Sequence, residues 1–205
     1  MIYEWDPEKA KRHRARLIAK AFRRTQGRAM ISGRNLSRDE IKEIWTIDRS
    51  EVIDAVYHLE NGALVLRPEH HDMRGWPPGE AEKYTPSLEA CYDQGGWFYG
   101  LFDDRRLIGA AVLESRFIGK NGDQLQLTFL HVSRTYRNLG WGRQLFDWAK
   151  SEATQRGATS MYISATPSEH TIGFYLRLGC RVTQEPDAAL LELEPEDIQL
   201  ECALG

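Results

Sequence analysis

The chain has 205 residues, room for one domain of ordinary size or a small domain carrying an extension. Its 41% hydrophobic, 28% charged and 10% aromatic residues suit a packed core, and exclude collagen-like, low-complexity and wholly disordered chains. The net charge of −3 is unevenly placed, because residues 1–38 hold eleven Lys and Arg against three acids, a net +8, and the rest a net −11. Three cysteines, Cys91, Cys180 and Cys202, are too few and too scattered for a disulfide framework or a zinc site. No stretch approaches the roughly 18 apolar residues of a membrane span, and Met1–Ala10 lacks the order of a signal peptide. A cytoplasmic protein with no membrane partner is therefore expected.

In chain order, residues 1–28 read as a basic helical extension. Asp6 can cap, Pro7 suits the first turn, and Leu17, Ile18, Ala21 and Phe22 give one modest apolar stripe. Between Lys9 and Arg38 there is no acidic side chain. This arm either docks its stripe on the domain or a neighbour, or contacts nucleic acid or another polyanion through residues 9–28. Residues 29–205 then read as a single domain. Ala29–Ser32 suggests a first strand, and Asn35 or Ser37 a cap for a helix over Arg38–Ile47. Val52, Ile53 and Val56 fit either a helix or a strand, while Asn61-Gly62 reads as a hairpin turn. Arg67–Gly79, with three prolines, reads as a loop, and Glu80–Asp93 as a helix.

The hydrophobic period then changes to two. Trp97–Phe102, Leu107–Phe117 and Gln124–Val132 read as three strands joined by short turns, an antiparallel meander. A helix follows over Gly140–Gln155, a buried strand over Ser160–Ala165 and a helix over Glu169–Leu178. Ala189–Glu194 and Ile198–Ala203 read as final strands. The order predicts an α+β, mixed α/β fold: a central, mostly antiparallel mixed sheet flanked by helices.

The chemistry concentrates where the third meander strand meets the next helix. Arg137-x-x-Gly140-x-Gly142 opens that helix just after Val132. Glycines there let a ligand approach the backbone, and the free N–H groups at a helix start favour an anion such as phosphate. Arg137 and Arg143 add mobile positive charge at the same mouth. The motif alone is weak, and a glycine-rich strand-to-helix corner explains it equally well. It is neither the G-x-G-x-x-G fingerprint nor a P-loop.

A second motif, Ser168-x-x-Thr171-x-x-Phe174-Tyr175-x-x-x-Gly179, lies on the helix after the next strand. Together the two motifs resemble the GNAT superfamily of N-acetyltransferases. The resemblance is strong over about residues 97–185, weaker over 29–96 and absent from 1–28. Three positions depart from the family pattern: Ser168 stands where Asn is usual, Thr171 where Ala is usual, and Cys180 where an aromatic follows Gly179. Cys180 reads as a small core hydrophobe in preference to a nucleophile.

The resemblance implies acetyl-CoA as the cofactor. It implies that the backbone of Leu130, His131 and Val132 holds the pantetheine arm, and that Arg137, Asn138, Leu139, Gly140, Trp141 and Gly142 grip the pyrophosphate. Arg143 and Ser168 flank the same cofactor site, and Tyr175 faces the sulfur. A phenol of pKa ~10 stays protonated at neutral pH and can donate to a departing thiolate; the alternative is that Tyr175 only packs on the coenzyme. The implied reaction is direct attack by a primary amine in a ternary complex. An amine of pKa ~10.4 is neutral in about one molecule in 10³ at pH 7, so its proton must be removed first. Relatives use a strand carboxylate for this, but Gln124–Val132 contains none. His131 is the titratable side chain on that strand, as base or as packing; Glu114 on the preceding strand is a second candidate.

The acceptor, a small molecule or a protein amine, is expected to meet the segment before the meander, where Glu51, Tyr57, His70, His71, Asp72 and Trp76 suit a cation. His70-His71-Asp72 is not expected to bind a metal, since adjacent histidines point apart and no partner cluster accompanies them. Homodimers are common in the resembling family. The other readings are a non-catalytic acyl-CoA-binding module and a polyanion-binding protein working through its basic arm.

Overall fold

The structure, a computed structural model, describes residues 31–205. The helical extension expected over residues 1–28 lies outside these residues. The described residues form nine strands: β1 (Ile31–Asn35), β2 (Glu51–Glu60), β3 (Ala63–Met73), β4 (Trp97–Asp103), β5 (Arg106–Ile118), β6 (Gln124–Val132), β7 (Ser160–Ala165), β8 (Arg181–Val182) and β9 (Ile198–Ala203). They form a seven-stranded sheet in the order β1-β4-β5-β6-β7-β9-β8, and a separate hairpin of β2 with β3. Every pairing in the large sheet is antiparallel except β6 with β7. The helices are α1 (Glu80–Asp93), α2 (Trp141–Gln155), α3 (Glu169–Arg177) and α4 (Ala188–Leu193), with 3-10 turns at Arg38–Thr46 and Arg134–Tyr136.

Alternation along β5, reset once by a bulge where Leu101 pairs with Gly109 but Phe102 with Leu107, places two cores on opposite faces of the sheet. Ile108, Ala111 and Leu113 of β5 pack with Leu145, Phe146 and Ala149 of α2 and Ile172 of α3. Leu107, Ala110 and Val112 pack against Ile41 and Ile44, and against Leu88 of α1. The segment expected as a helix over Arg38–Ile47 is the tighter 3-10 form, started by Glu40, whose carboxylate accepts the Ser37 N–H at 2.9 Å.

Two expectations are corrected. Arg67–Gly79 is not wholly loop, since β3 runs on through Met73. The β2–β3 turn uses Asn61 (φ 51°) and Gly62 (φ 79°), both left-handed as a tight hairpin demands. Pro68 is tolerated because it lies opposite Ala55 at a bulge in β3, where the three steps from Pro68 to His71 oppose only two in β2 and a missing donor disrupts little. Ala189–Glu194 is not a strand. Asp187 accepts the N–H groups of Ala189 and Leu190 at 3.0 and 3.2 Å, and this cap starts α4.

The feature that positions the site is a divergence. The parallel pairing of β6 with β7 spans only Gln124–Gln126 against Ser160–Tyr162. Beyond it β6 stays paired to β5 as far as Val132, and β7 to β9 as far as Ala165. A wedge therefore opens between β6 and β7. Along it, the β6 edge from Leu127 to Val132 has no strand opposite among the described residues, so its backbone groups need another partner.

Candidate functional site

A cavity of about 650 Å³ fills the wedge. Leu127–Val132 of β6, Ser164 and Ala165 of β7, the start of α2 and one side of α3 line it. The start of α2 is shaped by left-handed backbone at Asn138 (φ 61°) and Gly140 (φ 92°). The first helical bond runs from the Gln144 N–H to the Gly140 carbonyl at 3.0 Å. The N–H groups of Trp141, Gly142 and Arg143 thus precede the helical ladder and are free to take an anion. Among the described residues nothing lies within 4 Å of a Cβ built on Gly140, whereas one built on Gly142 would sit 3.4 Å from the Phe174 ring.

Asn138, Gly140, Gly142, Arg143, Ser168 and Tyr175 line the cavity, together with Leu130, His131 and Val132. The side chains of Leu139 and Trp141 do not; they can serve it only through their backbone. Ser168 caps α3, its Oγ accepting the Thr171 N–H at 3.2 Å, and bridges to β2 opposite Val56. Arg137 is not a mobile charge. Its Nε donates to the Val132 carbonyl at 2.8 Å, and its Nη1 and Nη2 donate to Ser50 and Asp48 carbonyls at 3.3 and 3.4 Å. It ties the segment before β2 to the end of β6. Arg143, by contrast, is exposed and lies 3.6 Å from Asp147.

Tyr175 is buried at 6% exposure, with its ring 5.1 Å from that of Phe174 and 5.9 Å from that of Phe146. Burial, with the nearby Cys180 and Asp197, pushes its phenol above the usual value, so it is protonated throughout the physiological range. His131 lines the cavity, but its imidazole is enclosed by aromatics, 5.0 Å from Trp76 and 4.7 Å from Phe129. That burial, aided by Arg49 and Arg137, pushes it down to about 3. It is neutral at physiological pH and a poor store for a proton. Glu114 is not in the cavity. It lies by Cys91, whose thiol is pushed up first by burial and then by the Glu114 charge.

The residues expected to meet the acceptor separate by strand alternation. Glu51 and Ile53 of β2 line the cavity with Met73 and His71, their cross-strand partners. Glu51 is half-buried, 3.7 Å from Arg137 and 3.6 Å from His170. His70 and Asp72 point the other way, exposed and paired with Asp54 (2.9 Å) and Arg74 (3.2 Å). Trp76 also lies outside the cavity. It donates its indole N–H to the Ile47 carbonyl at 2.9 Å and stacks on Phe129. Tyr57 lines an adjoining cavity. Sequence reasoning missed Arg49, His170 and Glu196, which also line the wedge. Among the described residues no group of three or more His, Cys, Asp or Glu is placed to hold a metal, and no helix is long and apolar enough to cross a membrane.

Residues 54–180 match the family model described as acetyltransferase (GNAT) family. Solved structures share the fold at low identity. Nourseothricin acetyltransferase superposes with a TM-score of 0.63 at 18% identity, covering 85% of this chain and 99% of that one. A candidate streptothricin acetyltransferase from Bacillus anthracis str. Ames, in complex with acetyl coenzyme A, gives 0.61 at 16%, with the same coverage. The PaiA N-acetyltransferase of Thermoplasma acidophilum, in complex with coenzyme A, gives 0.55 at 16%, again covering 85% and 99%. No protein of curated function matches the chain at significant sequence similarity.

Proposed function

The chain belongs to the GNAT acetyltransferase family, which makes it an acetyl-CoA-dependent acyltransferase, and from that premise we propose that it acetylates a primary amine by direct attack in a ternary complex. The observation that carries this reading is the wedge. An unpaired strand edge, three unbonded helix N–H groups and a buried protonated phenol surround one cavity. The fit to acetyl-CoA is chemical: the N–H groups of Trp141, Gly142 and Arg143 with the Arg143 guanidinium suit phosphates, and the edge at Leu130, His131 and Val132 suits the amides of a pantetheine arm.

When bound, acetyl-CoA supplies an activated acetyl group as a thioester. The β6 edge holds the arm in register, and Phe174 and Tyr175 limit water around the sulfur. As the amine nitrogen bonds to the carbonyl carbon and the carbon–sulfur bond breaks, Tyr175 gives its proton to the departing thiolate and regains one from solvent. His131, neutral with a lone pair on its ring, orients the amine by accepting its N–H and does not store the proton. The lost amine protons pass to solvent.

The test is release of free thiol from acetyl-CoA with a panel of primary amines, the products weighed by mass spectrometry. Amine-dependent release matched by one acetyl group per product is expected. Coenzyme binding without release for any amine would leave a non-catalytic acyl-CoA-binding module and overturn the proposal.

A further inference from the structure

A second cavity, about 540 Å³, adjoins the first and shares Val56, His71, Pro167 and Glu196 with it. The β2–β3 hairpin, the loop after β7 and the segment from α4 into β9 enclose it. The two differ in charge. Arg49, Arg137, Arg143 and Arg177 line the first, against the acids Glu51 and Glu196. Among the described residues no Lys or Arg lines the second, which has Glu69, Glu196 and Asp197. Glu69 is answered by His58 at 2.8 Å and His71 at 3.5 Å. Glu196 and Asp197 have no ion pair and no side-chain hydrogen bond among the described residues.

Asp197 is also well placed. Ala165 at the end of β7 pairs with Ile198, so Asp197 stands beside the mouth of the wedge. Its surroundings are wrong for a charge standing alone. Burial, then Glu194 and Glu196, hold its carboxyl up to about 7, and Arg49 offsets only part of this. A cation arriving at Asp197 would relieve that cost. Much of the remaining wall is apolar, with Leu59, Val182, Leu191 and Ile198.

We propose that the second cavity is the acceptor subsite and takes a small di- or polyamine. One amino group passes the shared wall to the acetyl donor. Another, still protonated, stays against Asp197 and Glu196, and the carbon stem lies on the apolar wall. The anionic donor and the cationic acceptor are thus sorted by opposite charge in adjoining spaces. This inference rests on the acetyl transfer proposed above.

The experiment compares 1,4-diaminobutane and 1,6-diaminohexane with butylamine and hexylamine as acceptors, in kcat/KM. The diamines are expected to be preferred about tenfold or more, the scale of one charge-assisted contact. Asp197→Asn should remove about tenfold of that preference, mostly through KM, and Asp197→Glu should retain it. The thermal shift of each variant with acetyl-CoA reports an intact fold and donor site. Equal use of both series, an unchanged preference in Asp197→Asn, or acetylation of peptide N-termini alone would overturn the inference while leaving the transfer reading standing. Failure of every amine in the presence of bound acetyl-CoA would overturn the transfer reading and this inference with it.

Discussion

Replacing Tyr175 by Phe is expected to lower kcat about 10²-fold, the usual scale for loss of a positioned general acid, and to leave acetyl-CoA affinity nearly unchanged. The substitution keeps the ring that packs on Phe146 and Phe174. It removes a hydroxyl that makes no hydrogen bond among the described residues, so no partner is stranded. Because burial pushes the phenol up, Tyr175 holds its proton at every physiological pH and the loss should be similar from pH 6 to 9. Steady-state rates across that range, with the coenzyme Kd measured separately, check this. An unchanged kcat would assign Tyr175 a packing role.

Gly142→Val is expected to weaken acetyl-CoA binding at least tenfold with the fold intact. A Cβ at this position meets the Phe174 ring at an ordinary contact distance of 3.4 Å, so the core tolerates it. The added methyl groups, however, would stand by the N–H groups of the first turn of α2, where the proposed site brings the phosphates close. Gly142→Ala, with one carbon, should lose much less. Gly140 makes a poorer probe, because its φ of 92° would strain any side chain and confuse stability with binding. Calorimetric titration of both Gly142 variants measures the difference. Equal affinity in wild type and Gly142→Val would move the phosphate site elsewhere.

Much of this fold was legible because its strong signals are local. The meander from Trp97 to Val132 shows period-two alternation, and α2 and α3 show helical stripes closed by Gly157 and Gly179. Where tertiary context decides, the sequence misled. His70-His71-Asp72 is polar throughout, so nothing in it announces a strand, and the strand is what turns His71 toward the cavity and His70 and Asp72 away. Arg137 looked like a free charge because the carbonyls of Asp48 and Ser50 that capture it lie nearly ninety residues earlier. Likewise Asp197 is an ordinary acid in sequence; only the pairing of Ile198 with Ala165 brings it beside the wedge. The spot where β6 and β7 part has no signature in either strand, since both remain apolar and β-rich beyond it.

The most direct test of the central claim, that the wedge is an acetyl-CoA site, is a thermal-shift titration of the full chain with acetyl-CoA, coenzyme A and ATP in parallel. At a hundred times Kd a single-site ligand adds about 2.7 kcal/mol of stability, a readily measured rise in Tm. Comparable shifts with acetyl-CoA and coenzyme A, and none with ATP, are the predicted result. No shift with either thioester or thiol, or an equal shift with ATP, would contradict it.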